Sequence, residues 1–229
     1  MKTALAIYDM DRTLTRRATY TPFLLHASLR LAPWRLILAP FVILAMIAYL
    51  LGLVQRGRLK EINYRLLVGG GIAPERLAPV VEGFAAAQVR TNILPGALAS
   101  IAADKAAGRR LVMATASYRL YAAEIARLLG FDDVIATETR LDSRGRVVAR
   151  IEGNNVYGDA KLAAIQAWLE REGMARDAVH IRFYSDHISD APVHHWSDEA
   201  FATNAHARLI RVAEQEGWEV LDWRDRRQA

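Results

Sequence analysis

Short apolar runs recur along this chain with room for a helix between them, and that alternation restricts the fold more than any other feature. The runs are Thr3–Tyr8 (TALAIY), Arg110–Ala116 (RLVMATA), Val134–Thr137, Val179–Tyr184, Ala200–Thr203 and Trp218–Trp223. The first two are almost continuously apolar, as strands buried on both faces of a parallel sheet should be. Helices are expected over Ala97–Ala107, Leu120–Leu129, Ala160–Glu172 and Ala207–Glu216, with Gly108, Gly130 and Gly173 closing the first three. Asp142–Val147 (DSRGRV) reads as a hairpin turn in which Gly145 is free to take a positive φ. Strands alternating with helices call for a mostly parallel sheet covered on both faces, a three-layer α/β/α, Rossmann-like core.

One long stretch interrupts the alternation. Residues 20–89 are helical in pattern, with breaks expected near Pro33, Gly57 and Gly69–Gly71. The chain therefore divides into a core made of residues 1–17 and 91–229 and an inserted helical cap at 18–90. With 52% hydrophobic and 24% charged residues, 229 residues suffice to bury a core. The absence of cysteine excludes disulfides and thiolate metal sites and fits a reducing compartment. The short apolar start, cut off by Asp9 and Asp11, does not read as a secretory signal.

Charge is unevenly placed. The net charge is only +5, yet no acidic residue occurs between Arg12 and Lys60, where Arg16, Arg17, Arg30, Arg35, Arg56 and Arg58 also lie. Such a stretch favours phosphate-rich partners. Within it, Leu36–Val54 carries no charge. As one helix it would be about 28 Å long, near the roughly 30 Å of a bilayer's hydrocarbon core. A single crossing would separate Asp9 from the residues near 186 with which it is argued below to cooperate, and arginines at both ends give no orientation. A re-entrant or in-plane hairpin, two crossings that also use Pro22–Trp34, and an ordinary buried cap helix all satisfy that constraint. His26 and Arg30 interrupt the segment needed for two crossings. The expected location is cytoplasmic, with peripheral or re-entrant contact at the membrane face through residues 20–65. No nucleic-acid partner is expected.

Four features point to chemistry. Asp9 and Asp11 follow the first strand, and in parallel sheets ligands bind beyond the carboxyl ends of strands. Two carboxylates so close repel each other unless a cation joins them, and a hard ion such as Mg²⁺, held by carboxylates and a phosphate oxygen, meets that need. Ser117 ends the second strand, where its hydroxyl can receive a phosphate. Lys161 opens a helix after Gly158-Asp159-Ala160, adding charge near a helix N-terminus. Asp186 and Asp190 follow the strand Val179–Tyr184. Each alone has an ordinary reading: a turn or cap for the aspartates, an N-cap for Ser117, a solvated helix residue for Lys161. Together, at matching strand ends and helix starts, they describe one site.

The ordered set Asp9-x-Asp11-x-Thr13, Ser117, Lys161 and Asp186-x-x-x-Asp190 resembles the haloacid dehalogenase-like hydrolases, in the phosphoserine-phosphatase-like branch (subfamily IB) with a helical cap after the first strand. Pro95-Gly96 and Gly217–Leu221 also look like this branch, and the resemblance covers essentially the whole chain. It implies that Asp9 attacks phosphorus and becomes an aspartyl-phosphate, while Asp11 protonates the leaving group and then activates water. It implies a Mg²⁺ ion among Asp9, the Met10 carbonyl, Asp11 and Asp186, with Asp190 farther out. Thr13, Ser117 and Lys161 would hold the phosphoryl group.

Departures bear on the substrate. Ser185 stands where the family often has glycine, and His187, placed to pack, donate or act chemically, follows Asp186. Tyr118 and Arg119 replace small glycines, and Ala18 occupies the place of a glutamate that meets the substrate ammonium of phosphoserine. With Arg16 and Arg17 adjacent, a more anionic substrate is expected: a phosphorylated lipid headgroup or, alternatively, a soluble small-metabolite phosphate. A non-catalytic membrane-binding module on the same fold is a third reading, opposed by the intact set of carboxylates and Lys161.

Overall fold

The computed structural model describes residues 2–224; the last five residues assigned to the core from sequence, 225–229, lie outside it. Seven strands form one sheet: β1 (Thr3–Tyr8), β2 (Arg110–Tyr118), β3 (Asp133–Leu141), β4 (Val147–Glu152), β5 (Val179–Ser185), β6 (Glu199–Thr203) and β7 (Glu219–Leu221). Their spatial order is β4-β3-β2-β1-β5-β6-β7, all parallel except β4, which pairs antiparallel with β3. The hairpin turn at Asp142–Gly145 joins β3 to β4, and Gly145 has φ +71°.

The helices are α1 (Tyr20–Leu31), α2 (Ala39–Leu50), α3 (Arg56–Leu67), α4 (Pro74–Thr91), α5 (Pro95–Ala106), α6 (Arg119–Leu129), α7 (Asp159–Arg171), α8 (Ala191–Trp196) and α9 (Ala207–Glu216). Side chains alternate across β1. Ala6 and Tyr8 join one apolar cluster with residues of α5 and α6, and Leu5 and Ile7 join another with Ile165, Trp168 and Leu169 of α7. This period of two on a central strand makes three layers. The helices α1 to α4 are inserted between β1 and α5 as a cap. Gly57 lies inside α3, so the expected break near it falls instead at residues 51–55.

Two local devices fix the core around β1. Gly96 opens α5 against Trp223, where a Cβ would come within 2.8 Å of the indole. The buried Asp104 carboxylate accepts hydrogen bonds from Tyr8 Oη (2.5 Å), Tyr184 Oη (3.1 Å) and Arg182 (3.0 Å). Removing it leaves the Tyr184 phenol without this acceptor, Tyr8 Oη with only Ser100 Oγ (3.1 Å) and Arg182 with only Glu199 (2.9 Å). Asp104→Ala is expected to cost about 3 kcal/mol or more. Thermal unfolding should register that as a fall of roughly 6–12 °C.

Candidate active site

The chain reverses its direction of travel across the sheet at β1, with β2 on one side and β5 on the other. Ligands bind at such a switch point in open α/β sheets. The carboxyl ends of β1, β2 and β5 meet there, and they carry Asp9, Ser117 and Asp186.

The turn after β1 is tight and irregular. Met10–Leu14 winds as a single wide turn closed by Thr15 N–H donating to the Met10 carbonyl (3.1 Å). Arg12 sits at φ +64°, an unusual value for a residue with a side chain. Asn204 holds the turn from the β6 side, donating from Nδ2 to the carbonyls of Arg12 (3.1 Å) and Thr13 (2.9 Å). The result presents Asp9 and Asp11 in different directions.

Asp9 joins a buried ionic cluster. Lys161 Nζ donates to Asp9 Oδ1 (2.8 Å) and to Asp190 Oδ2 (2.6 Å), and Ser185 Oγ donates to the same Asp190 oxygen (2.6 Å). Lys161 is delivered by Gly158, whose φ of +61° and ψ of −134° suit glycine alone and start α7 at this point. Thr13 Oγ1 donates to Asp9 Oδ2 (3.2 Å) and accepts from Asp186 N–H (3.0 Å). Asp186 is 4% exposed, and the ring of His206 lies 3.9 Å from its carboxylate. Three carboxylates thus share one ammonium. Burial, then the neighbouring Asp9 and Asp190, push the Asp186 carboxyl up to about 8. Burial likewise lifts Asp9 to about 6 against the pull of Lys161. Asp190 and Asp9 hold the Lys161 ammonium well above its ordinary range, outweighing burial, the largest single influence.

Asp11 faces a second, hydroxyl-rich cluster. Its Oδ1 accepts from Thr19 N–H (2.7 Å) and Thr19 Oγ1 (2.8 Å), and its Oδ2 from Ser117 Oγ (2.6 Å). Tyr121 Oη donates in turn to Ser117 Oγ (2.8 Å). From the cap, the buried Lys60 reaches the Ala116 carbonyl and Asn155 Oδ1 (2.7 Å), and burial lowers its ammonium to about 7. Lys60 therefore ties α3 to the end of β2.

Several of the expected site residues meet partners that the sequence does not specify. Thr13 is fully buried, and its hydroxyl is engaged by Asp9 and Asp186, so it braces the turn. The Met10 carbonyl accepts from Thr15 twice, from N–H (3.1 Å) and Oγ1 (3.2 Å). The Asp11 carboxylate is bonded to Ser117 and Thr19. Ser117 directs its hydroxyl at Asp11 and its N–H at Thr115 Oγ1 (3.1 Å), so receiving a phosphoryl oxygen requires the hydroxyl to turn. His187 accepts from Ser189 N–H at Nδ1 (3.1 Å) and caps the turn Ile188–Asp190.

Thr19, Tyr121, Lys60 and Asn155 were not read from the sequence. Tyr121 lies four residues after Ser117, but Ser117 is in β2 and Tyr121 in α6, so no helical spacing joins the two. No spacing links the other three to the site.

Residues 6–195 match the haloacid dehalogenase-like hydrolase family. The chain belongs to this family. The protein CicA of Caulobacter vibrioides is 30% identical over 218 residues, covering 95% of this chain and 86% of its own. A Bordetella pertussis protein of unknown function superposes with a TM-score of 0.87 at 27% identity, over 97% of this chain and 100% of that one. A phospho-aspartyl intermediate analogue of phosphoserine phosphatase superposes with a TM-score of 0.63 at 17% identity, covering 100% of this chain and 97% of its own. That last likeness is one of fold. The matches establish the hydrolase superfamily and the inserted cap, and the finer placement in subfamily IB remains a resemblance.

The donors around Asp9 suit a hard cation. Among the described residues no group of three or more His, Asp or Glu side chains is gathered to enclose a metal. Asp9 and Asp186 nevertheless supply two carboxylates, and Mg²⁺ is ordinarily held by one or two, with water and phosphate oxygens completing its shell. Asp190 Oδ1 is buried without a hydrogen-bond partner, and the cluster carries more negative charge than Lys161 offsets.

Proposed function

We propose that the protein is a Mg²⁺-dependent phosphomonoester hydrolase that works through an aspartyl-phosphate on Asp9. The observation that carries this reading is the separation of the two carboxylates of one turn. Asp9 is fixed by Lys161 and Thr13 at the switch point, and Asp11 is held apart on hydroxyl donors. One is thus placed for attack and the other for proton transfer.

In the first step an oxygen of Asp9 bonds to phosphorus as the ester P–O bond breaks, and Asp11 gives its proton to the leaving alkoxide. In the second, water attacks the phosphorus of the acyl phosphate, Asp11 takes its proton, and Asp9 is released with inorganic phosphate. Lys161 has a third N–H beyond those given to Asp9 and Asp190, and it offsets phosphoryl charge in the low-dielectric site. A Mg²⁺ ion held by Asp9 and Asp186 would keep Asp9 ionised and screen it from the anionic substrate.

The substrate we propose is a phosphomonoester on a lipid-linked group, supported by the arginine-rich, acid-free stretch from Arg12 to Lys60 and by the exposed apolar helix α2. A water-soluble phosphomonoester is the competing substrate. Phosphate release from an aryl phosphate, with Mg²⁺ and with a chelator, tests the chemistry. A panel of lipid and soluble phosphomonoesters tests the substrate.

Metal binding has its own readout. Asp9 and Asp186 are raised from 3.8 to about 6 and about 8, so the folded state holds more protons than the unfolded one between about pH 4 and 8. Stability of the metal-free protein therefore falls as pH rises through that window. Mg²⁺ at about 100 times its Kd should add about 2.7 kcal/mol, or roughly 5–10 °C in Tm, and at a fixed Mg²⁺ concentration the gain should be larger at the upper end of the window. Asp186→Asn should abolish most of the Mg²⁺-dependent rise.

A further inference from the structure

We propose that α2 is an in-plane docking element for an anionic lipid bilayer, placing the cap side of the molecule on a membrane. The inference concerns a surface remote from the carboxylate clusters, and it supplies the lipid-linked reading of the substrate with its physical basis.

No residue of α2 is buried. Phe41, Ile43, Leu44, Ile47 and Leu50 are between 46% and 74% exposed. The helix is apolar on every side, so packing it along α3 leaves the remaining apolar surface facing outward. Contiguous apolar surface of this kind on a soluble chain marks an interaction site. An ordinary buried cap helix, one of the arrangements open from sequence, is excluded by this exposure.

Geometry then selects how lipid is met. Residues Pro33–Leu38 form a separate 3-10 turn, and Arg35 within it donates to the carbonyls of Arg65 (2.8 Å) and Leu66 (3.2 Å), fastening that turn to α3. The α-helical part of the exposed apolar segment is the 12 residues of α2, about 18 Å long, which alone falls short of a hydrocarbon core of roughly 30 Å; Ile37, Leu51 and Leu53, 69–77% exposed beside its ends, extend the apolar surface. Because α1 and α3 both belong to the cap, the chain enters and leaves α2 on the same side. Trp34, 64% exposed at the start of the segment, is of the type that settles at the headgroup level.

Charge decides between lipid and a second copy of the chain. Residues 20–65 hold six basic residues, Arg30, Arg35, Arg56, Arg58, Arg65 and the buried Lys60, against one acid, Glu61. That excess of five equals the net charge of the whole chain, +5, so the rest is neutral. A two-fold contact through α2 would bring this cationic region near its own copy. Anionic headgroups instead complement it, and apolar insertion with basic flanks is how interfacial helices bind.

Flotation tests this with the full chain, vesicles of phosphatidylcholine plus phosphatidylglycerol, and vesicles of phosphatidylcholine alone. The protein is expected to float with the mixed vesicles at low salt and to be largely released by high salt. Ile43→Glu with Leu44→Glu, and separately Arg30→Gln with Arg58→Gln, should each weaken binding roughly tenfold or more. Circular dichroism and aryl phosphate hydrolysis at the wild-type rate would report that these variants are folded. Wild-type protein that stays unbound with both vesicle types overturns the proposal whatever the variants do. Equal flotation with both vesicle types overturns its anionic element. A concentration-dependent dimer lost in the glutamate variant, without vesicle binding, overturns it in favour of a second copy. Flotation without phosphate release leaves this inference standing and removes the phosphatase reading.

Discussion

Replacing Asp9 by Asn is expected to lower phosphate release by at least about 10⁴-fold while leaving a folded protein. The amide cannot attack phosphorus, so no aspartyl-phosphate forms. The rest of the cluster tolerates the change. The Asn Oδ1 still accepts from Lys161, and the Thr13 hydroxyl, which already accepts from Asp186 N–H, can turn and accept from the new amide N–H as well. One negative charge is removed from a buried site that holds three carboxylates and a single ammonium. Asp9 is raised to about 6 in the folded state from 3.8, so its ionised form destabilises the metal-free protein at neutral pH, and the variant should melt no lower than wild type there. Steady-state release from an aryl phosphate, read beside a thermal melt without Mg²⁺, checks both halves. An inactive variant that has also unfolded says nothing of attack; near-wild-type turnover in a folded one removes Asp9 from the mechanism.

That division between chemistry and scaffold follows how the site was legible in the sequence. Strand ends could be read because parallel strands buried on both faces are apolar until they meet the crevice. β1 was expected at Thr3–Tyr8 and is found there, and β5 runs one residue beyond its expected end at Tyr184. Those ends deliver Asp9 and Asp186. The direction of each side chain was not legible, because it depends on turn geometry that no periodicity encodes. The positive φ of Arg12 sends Asp11 toward Thr19 and Ser117, and it seals Thr13 between Asp9 and Asp186. β4 was missed as a strand because V-V-A-R-I-E mixes polar and apolar residues on an edge, although its turn was seen. In the cap, the apolarity of residues 36–54 says that they avoid water. It does not say what covers them, and α2 has no buried residue.

Replacing Lys161 by Met should damage both stability and catalysis, in contrast to Asp9→Asn. Methionine has comparable length but leaves Asp9, Asp186 and Asp190 buried with no cation among them. Breaking a buried ion pair by removing one partner costs about 3–5 kcal/mol. For a chain of this size that is a fall of roughly 6–20 °C in Tm. The pH dependence separates this mechanism from lost packing. In wild type the Lys161 ammonium has its pKa raised, so its contribution is fully present below the unfolded value of 10.5 and is lost only above it. In the variant the carboxylates have lost the cation that lowers them, so the folded state takes up more protons and the deficit shrinks as pH falls toward 5. A deficit that is the same at pH 5 and pH 8 would mean that lost packing, and not uncompensated charge, is the cause. Mg²⁺ should restore part of the stability by neutralising Asp9 and Asp186. Turnover should stay at least about 10²-fold low even when Mg²⁺ has refolded the protein, because the charge that Lys161 directs at the phosphoryl oxygens is absent.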